Sequence, residues 1–268
     1  MGSQPRWRVT LLGTGPSQGV PMLGGPDGHG DWGACDPAEP RNRRTRTSAL
    51  IETADGTRVL IDAGPDCRAQ LLAAGVGAVD AVIFTHAHAD HVMGIDELRQ
   101  VNRNTGQALP AYGFPETLAE LSGRFGYAFH PPTRGFFRPA LSANEVLPGQ
   151  RVVLGLFSAL CLEQDHRVMR TMGVRVEEFG YSTDLVQMPD ASLAALSGLD
   201  CWVVGCFQPG GHPVHAGLDQ IQAWTRELGP RRTILTHMSG AMDWAQLTRT
   251  LPAGIQPGHD QMRLEPGR

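Results

Sequence analysis

Ile83-Phe84-Thr85-His86-Ala87-His88-Ala89-Asp90-His91 sets three imidazoles and one carboxylate within six consecutive positions, directly behind an apolar run. Asp80-Ala81-Val82-Ile83-Phe84 reads as a short buried strand, and from Gly94 the spacing of Ile95, Leu98 and Val101 predicts a helix to about Asn102. The ligand-type residues therefore occupy a strand-to-helix turn. Residues two apart on an extended segment face the same way, so His86 and His88 can hold one metal ion. Asp90 and His91 follow the turn and suit a second ion beside the first. A lone histidine is ordinarily a satisfied structural residue, but four ligand-type side chains in six residues point to a metal site.

Upstream, Ser48-Ala49-Leu50-Ile51-Glu52 and Arg58-Val59-Leu60-Ile61-Asp62 read as strands joined by the Asp55-Gly56 turn, a hairpin signal. Asp62 ends the second strand, where a carboxylate can orient a ligand histidine from behind. Val9-Thr10-Leu11-Leu12 is a strand that runs into the glycine-rich stretch Gly13 to Pro21. No Gly-Lys-Ser/Thr follows, and Pro16 and Pro21 prevent a helix from opening there, so a structural loop is expected rather than a phosphate cradle, with backbone amides available to a pocket floor. Arg41-Asn42-Arg43-Arg44-Thr45-Arg46 is the one dense basic run. A solvated turn with carboxylate partners is the expected reading, and attraction of an anionic substrate the alternative. A helix is predicted over Cys67 to Ala74.

Downstream, residues 103 to 150 break short apolar runs with prolines and carry the aromatics Phe125, Tyr127, Phe129, Phe136 and Phe137. An irregular segment folded over the site is expected, its aromatics packing in the core or, less favoured, forming a lid; His130 among them is not read as a ligand. Strand signals then resume. Arg151–Leu154 and Phe157–Leu162 are followed by His166, Val174–Phe179 by Asp184, Cys201–Gly205 by His212 and His215, and Thr233–Thr236 by His237. Ala216 to Leu228 has helical spacing and stops at Gly229. Ligand-type residues at the ends of several strands are how a scaffold gathers distant positions into one pocket.

The 268 residues, 41% hydrophobic, suit one domain over 1–268. A net charge of -4 disfavours bulk nucleic-acid binding. Five cysteines without a CxxC pair argue against a disulfide framework, and the chain shows neither a signal-type apolar start nor a bilayer-length apolar run. A cytoplasmic protein with no membrane partner is expected.

His86-Ala-His88-Ala-Asp90-His91, with Asp62, His166, Asp184 and His237 in that order, resembles the metallo-β-lactamase superfamily of αββα-sandwich hydrolases, an α/β fold, over nearly the whole chain. Gly13 to Pro21, Asn42-Arg-Arg, Tyr181-Ser-Thr-Asp184 and Leu235-Thr-His237-Met further resemble its PhnP-type phosphodiesterases. Such enzymes act in phosphonate breakdown on 5-phosphoribosyl 1,2-cyclic phosphate. The resemblance implies one ion at His86, His88 and His166, another at Asp90, His91 and His237, and Asp184 bridging both. The ions would be Mn2+ or Zn2+ with a hydroxide between them. His215 matches the histidine near the leaving group and, with Asp90, forms the expected catalytic pair; His212 is a weaker competitor. A homodimer is implied only by family resemblance.

PhnP-type enzymes often hold an extra structural zinc on three cysteines near the first loop and a histidine after the last ligand. Here only Cys35 remains, and Gly240 stands at the histidine position, so no additional structural zinc is expected. Three rivals share the ligand set or fold: a transfer-RNA 3′-end nuclease, a lactone or thioester hydrolase, and a non-catalytic binding protein. The seventeen residues between His166 and Asp184 are too few for a nuclease's gripping arm, and the filled ligand positions disfavour the binding protein. Asp184, where many β-lactamases have cysteine, disfavours β-lactam hydrolysis.

Overall fold

The computed structural model describes residues 6–130 and 140–266. β1 (Trp7–Gly13), β2 (Ser48–Thr53), β3 (Arg58–Ile61), β4 (Ala81–Ile83), β5 (Leu109–Gly113) and β6 (Leu141–Glu145) form one sheet. β7 (Arg151–Leu154), β8 (Phe157–Asp165), β9 (Arg170–Val176), β10 (Phe179–Ser182), β11 (Cys201–Gly205), β12 (Arg232–Thr236) and β13 (Ile255–Pro257) form the second, and β14 (Met262–Leu264) returns to pair with β1.

Period-two alternation drives the two sheets together. Trp7, Val9 and Leu11 of β1 meet Phe157, Ala159 and Cys161 of β8 and Met172, Val174 and Val176 of β9 in one buried layer. The opposite faces carry helices. α1 (Cys67–Ala74), α2 (Ala89–Val92), α3 (Leu98–Thr105), α4 (Pro115–Arg124) and α5 (Gly126–Phe129) belong to the first half, where α1, α3 and α4 cover Leu60, Val82 and Phe84. α6 (Asp190–Ala194), α7 (Leu218–Leu228) and α8 (Trp244–Thr250) accompany the second, with Ile221, Trp224 and Leu247 packed over Trp202, Val204 and Leu235. The result is the expected αββα sandwich. No helix among the described residues is long and apolar enough to cross a membrane.

Strand direction places the site. β3 and β4 are parallel, as are β10, β11 and β12, while β8 and β10 each run antiparallel to β9 and so point the same way. The ends of these strands deliver Asp62, the His86–His91 turn, His166, Asp184 and His237 to one edge of the sandwich, the place where sheet folds bind ligands.

Several expectations need correction. The run Val174–Phe179 is no single strand: Glu177, at φ 50°, turns the chain between β9 and β10, so Val176 and Phe179 pair across a hairpin. The helix expected from Gly94 begins as a 3-10 turn over Ile95–Glu97 and runs to Thr105. The described part of 103–150 is largely regular. Pro115 opens α4 at its first turn instead of breaking it, because proline lacks an N–H where a helix has no partner for one. Phe125 and Phe129 pack against the outer core and Tyr127 is exposed, while Phe136 and Phe137 lie outside the described residues.

The basic run also departs from expectation at one position. Arg46 pairs with Asp66, and Arg41 and Arg43 lie over Trp244 and Trp32 at 4.2 and 5.0 Å. Arg44 is buried. In the Gly13–Pro21 loop several amides serve structure: Thr14 donates to Asp260, Gly15 to Thr45 and Val20 to Arg44.

Candidate metal centre

The His86–His91 turn is shaped by its neighbours. Asp62, fully buried at φ 61°, accepts from the Thr85 backbone N–H and hydroxyl at 2.7 Å each and meets His91 Nδ1 at 2.7 Å. Backbone interlocks complete the fit, with Ala63 N–H donating to His91 and Gly94 N–H to Ala63. Arg124 at the end of α4 donates to the Ala87 carbonyl between the first two histidines.

In three rings one nitrogen is occupied from outside, which aims the other inward. His86 Nδ1 meets Thr85 Oγ1 at 3.0 Å, His91 Nδ1 meets Asp62, and His166 Nδ1 donates to the Val214 carbonyl at 2.6 Å. This outer-partner pattern is that of metal-bound histidines. The ligand atoms of His86, His88 and His166 lie within 4.8 Å of one another, as do those of Asp90, His91 and His237. Asp184 stands between the two groups, with Oδ2 3.1 Å from His91 Nε2 and Oδ1 3.2 Å from His237 Nε2 and 3.9 Å from His166 Nε2.

Buried polar atoms normally find partners, yet Nε2 of His86 and Nδ1 of His237 have none among the described residues, and Nε2 of His91 and of His237 face only carboxylate oxygens of Asp90 and Asp184. Divalent ions fit these atoms. The charge balance agrees. Burial disfavours the His91 imidazolium, but Asp90, Asp184 and Asp62 outweigh it and hold the group well above its ordinary range. Burial opposes ionisation of Asp184 as well, and His237 and His91 overcome it, keeping the carboxyl well below the usual range. Asp62 on one side of the His91 ring and Asp90 and Asp184 on the other make this a place that draws a cation. Burial lowers His86 and His166, whose neutral rings are the metal-binding form.

His215 sits at the opening, its Nδ1 3.7 Å from Asp184 Oδ1, its ring stacked on Phe207 with centroids 5.1 Å apart. His212 packs on the same phenylalanine but joins none of the ligand groups, and His130 bonds Ser122 away from them. Cys35 is buried beside Arg44, and all five cysteines are free.

The profile of the beta-lactamase superfamily domain matches residues 57–238. A crystal structure described as a new diphosphatase from the PhnP family is 33% identical, covers 97% of this chain and 96% of its own, and superposes with a TM-score of 0.87. The chain belongs to the PhnP family of the metallo-β-lactamase superfamily. Other relatives of this PhnP-family chain include an octanoyltransferase of Porphyromonas gingivalis, 31% identical over 94% of this chain and 50% of that protein. A ribonuclease Z of Bradyrhizobium is 30% identical over 50% of this chain and 44% of its own length. The chain thus spans about half the length of the curated relatives it matches.

Phe207, Thr85 and the Val214 carbonyl were not legible as site residues: the first is one aromatic among several, and the others act through positions any residue type can fill. Three site residues, Asp62, Asp184 and His237, hold left-handed φ angles of 61°, 51° and 54°. Such backbones are uncommon outside glycine and gather at functional sites.

Asp62→Asn tests the support behind His91. The amide can still accept from Thr85, but its NH2 then faces the His91 N–H, donor against donor. Ion affinity should fall by about 10–100-fold in a chelator competition titration. Unchanged affinity would remove Asp62 from the centre's support.

Proposed function

We propose that this chain is a dinuclear metal-dependent phosphodiesterase acting on a small phosphorylated substrate, a cyclic phosphate diester such as 5-phosphoribosyl 1,2-cyclic phosphate. The observation that carries the reading is the pair of ligand groups sharing Asp184, in a chain belonging to a superfamily of metal-dependent hydrolases. One ion would be held by His86, His88 and His166 and the other by Asp90, His91 and His237. Bound there, Mn2+ or Zn2+ would supply an activated water and neutralise phosphoryl charge.

The protein's own groups divide the remaining work. Asp62, Thr85 and Val214 hold the imidazoles in place. Asp90 and His215, with side chains 11% and 13% exposed, are partly open, as is His88, and so can face an incoming phosphate. Asp90 would accept a hydrogen bond from the attacking water. Burial, aided by His237, pushes the His215 imidazolium down to about 3, so its ring is neutral without substrate. A phosphate's negative charge acts in the opposite direction and favours proton uptake with the substrate. His215 would then give that proton to the departing alkoxide as the P–O bond breaks.

His215→Ala should lower turnover by roughly 10²–10⁴-fold on an alkyl phosphodiester while leaving metal content intact. On an aryl ester, whose leaving group needs no proton, the loss should be far smaller. Equal losses on both substrates, or none, would remove His215 as the acid.

A second reading has its own support, since the 33%-identical PhnP-family structure is described as a diphosphatase. The nuclease reading has less: the chain between His166 and Asp184 is taken up by a short turn, β9 and β10, so no arm leaves the body there. Phosphorus NMR of the metal-loaded protein separates the phosphate readings. A cyclic phosphate converted to one ring-opened monophosphate supports the proposal, and cleavage of a diphosphate diester into two monophosphates moves it to the second. Inertness toward both, with an acyl thioester hydrolysed, overturns both.

A further inference from the structure

We infer that Arg44 is a positioning residue for the metal centre, holding His237 in its ligand orientation through the main chain. The inference rests on the dinuclear reading above.

The four buried histidines of the centre are not held alike. His86, His91 and His166 each have one ring nitrogen fixed by Thr85, Asp62 and the Val214 carbonyl. His237, only 2% exposed, has no such outer partner: its Nε2 faces Asp184 and Asp90, and nothing holds its Nδ1. Its ring direction is therefore inherited from its backbone, and that backbone is held at φ 54°, where a residue with a Cβ is strained. Something must over-determine the chain on either side. Before His237 stands β12, an inner strand paired on both edges. After it comes the turn 238–243, and Arg44 is what grips that turn.

Arg44 is 2% exposed, and Asp260 and Asp243 act on it through space and not through a direct ion pair. Taking a guanidinium out of water costs several kcal/mol, and burial lowers its pKa accordingly. Its two terminal nitrogens go to the turn, Nη1 to the Ser239 carbonyl at 3.0 Å and Nη2 to the Met242 carbonyl at 2.5 Å. Nη2 also meets Asn42 Oδ1 at 3.2 Å, and Nη1 lies 3.8 Å from Cys35 Sγ. Asn42 extends the grip, donating to Asp243 Oδ2 at 2.7 Å and accepting from the Trp244 N–H at 2.8 Å. The same turn is pinned on its other side, with Met238 N–H donating to Thr14 and Ser239 N–H to Phe207, whose ring carries His215. A planar fork spanning two carbonyls fixes both position and orientation, which a single ammonium cannot do.

The test is stepwise divalent-ion titration of the ion-free protein, Arg44→Lys and Arg44→Met, with His237→Ala marking which step belongs to the Asp90–His91–His237 group. Lysine keeps the charge and one carbonyl contact, and methionine fills the space without a charge, so one of the two should fold even if the other does not. The expected result is a loss of about tenfold or more at the His237 step, beyond any loss at the His86–His88–His166 step, which should be little changed. Unchanged affinity at both steps, or equal losses that track a lowered melting temperature, would overturn the role and leave the centre standing. A wild-type protein that binds no second ion would instead overturn the dinuclear reading, and this inference with it.

Discussion

Asp184→Ala should lower turnover by at least about 10³-fold, more than is lost with a single stabilising donor at an active site. One carboxylate here approaches His91, His237, His166 and His215 at 3.1, 3.2, 3.9 and 3.7 Å. The carboxylate is also locked in place: Thr183 Oγ1 donates to Oδ2 at 2.6 Å, Thr171 Oγ1 donates to the Asp184 carbonyl at 2.9 Å, and the backbone sits at φ 51°. Removing it takes away the carboxylate that faces both groups and parts them. Kinetics and metal analysis together check this, since ion stoichiometry should fall with the rate. Turnover within tenfold of the parent protein would show that the two groups do not work as one centre.

The second large effect lies off the ligand set. A Cβ added at Gly64 would sit 2.1 Å from the Asp90 carbonyl oxygen, and one at Gly94 would sit 2.1 Å from the Gly64 oxygen. Backbone meets backbone at this crossing, so no side chain can swing away to make room. Gly64→Ala should therefore destabilise by about 3 kcal/mol, the upper part of the usual overpacking range, lowering the melting temperature by roughly 6–12 °C. It should also displace Asp90 and His91 and cost about 100-fold in turnover, as a shift near 1 Å at a catalytic group does. Gly123→Ala in α4, where an added Cβ meets nothing within 4 Å, is the matched control and should be neutral or slightly stabilising. Thermal melts and rates for the two variants decide the matter, and a Gly64→Ala protein with parental values on both counts would contradict the interlock.

What was legible in the sequence follows from how far apart the interacting parts lie. His86, His88, Asp90 and His91 share one turn, so their grouping needs no tertiary information. His166, Asp184 and His237 each close an apolar strand, and parallel strands bring their ends to one edge. The helices Cys67–Ala74 and the one ending at Gly229 announce themselves by spacing and a terminal glycine. The hairpin at Glu177 was hidden because Val174, Val176 and Phe179 keep up a strand-like composition through the turn. Arg44 was hidden for a deeper reason. Its neighbours Arg41, Arg43 and Arg46 are surface or half-buried cations of the ordinary kind, and only the approach of a turn two hundred residues away makes the fourth arginine a buried one. The irregular reading of 103–150 failed on Pro115, which starts a helix as readily as it ends one.

The most direct test of the central claim is anomalous diffraction at the zinc edge from crystals of the zinc-loaded protein. Two peaks flanking Asp184, one among His86, His88 and His166 and the other among Asp90, His91 and His237, are predicted. A single peak there, or zinc bound beside Cys35 with the Asp184 site vacant, would contradict the account.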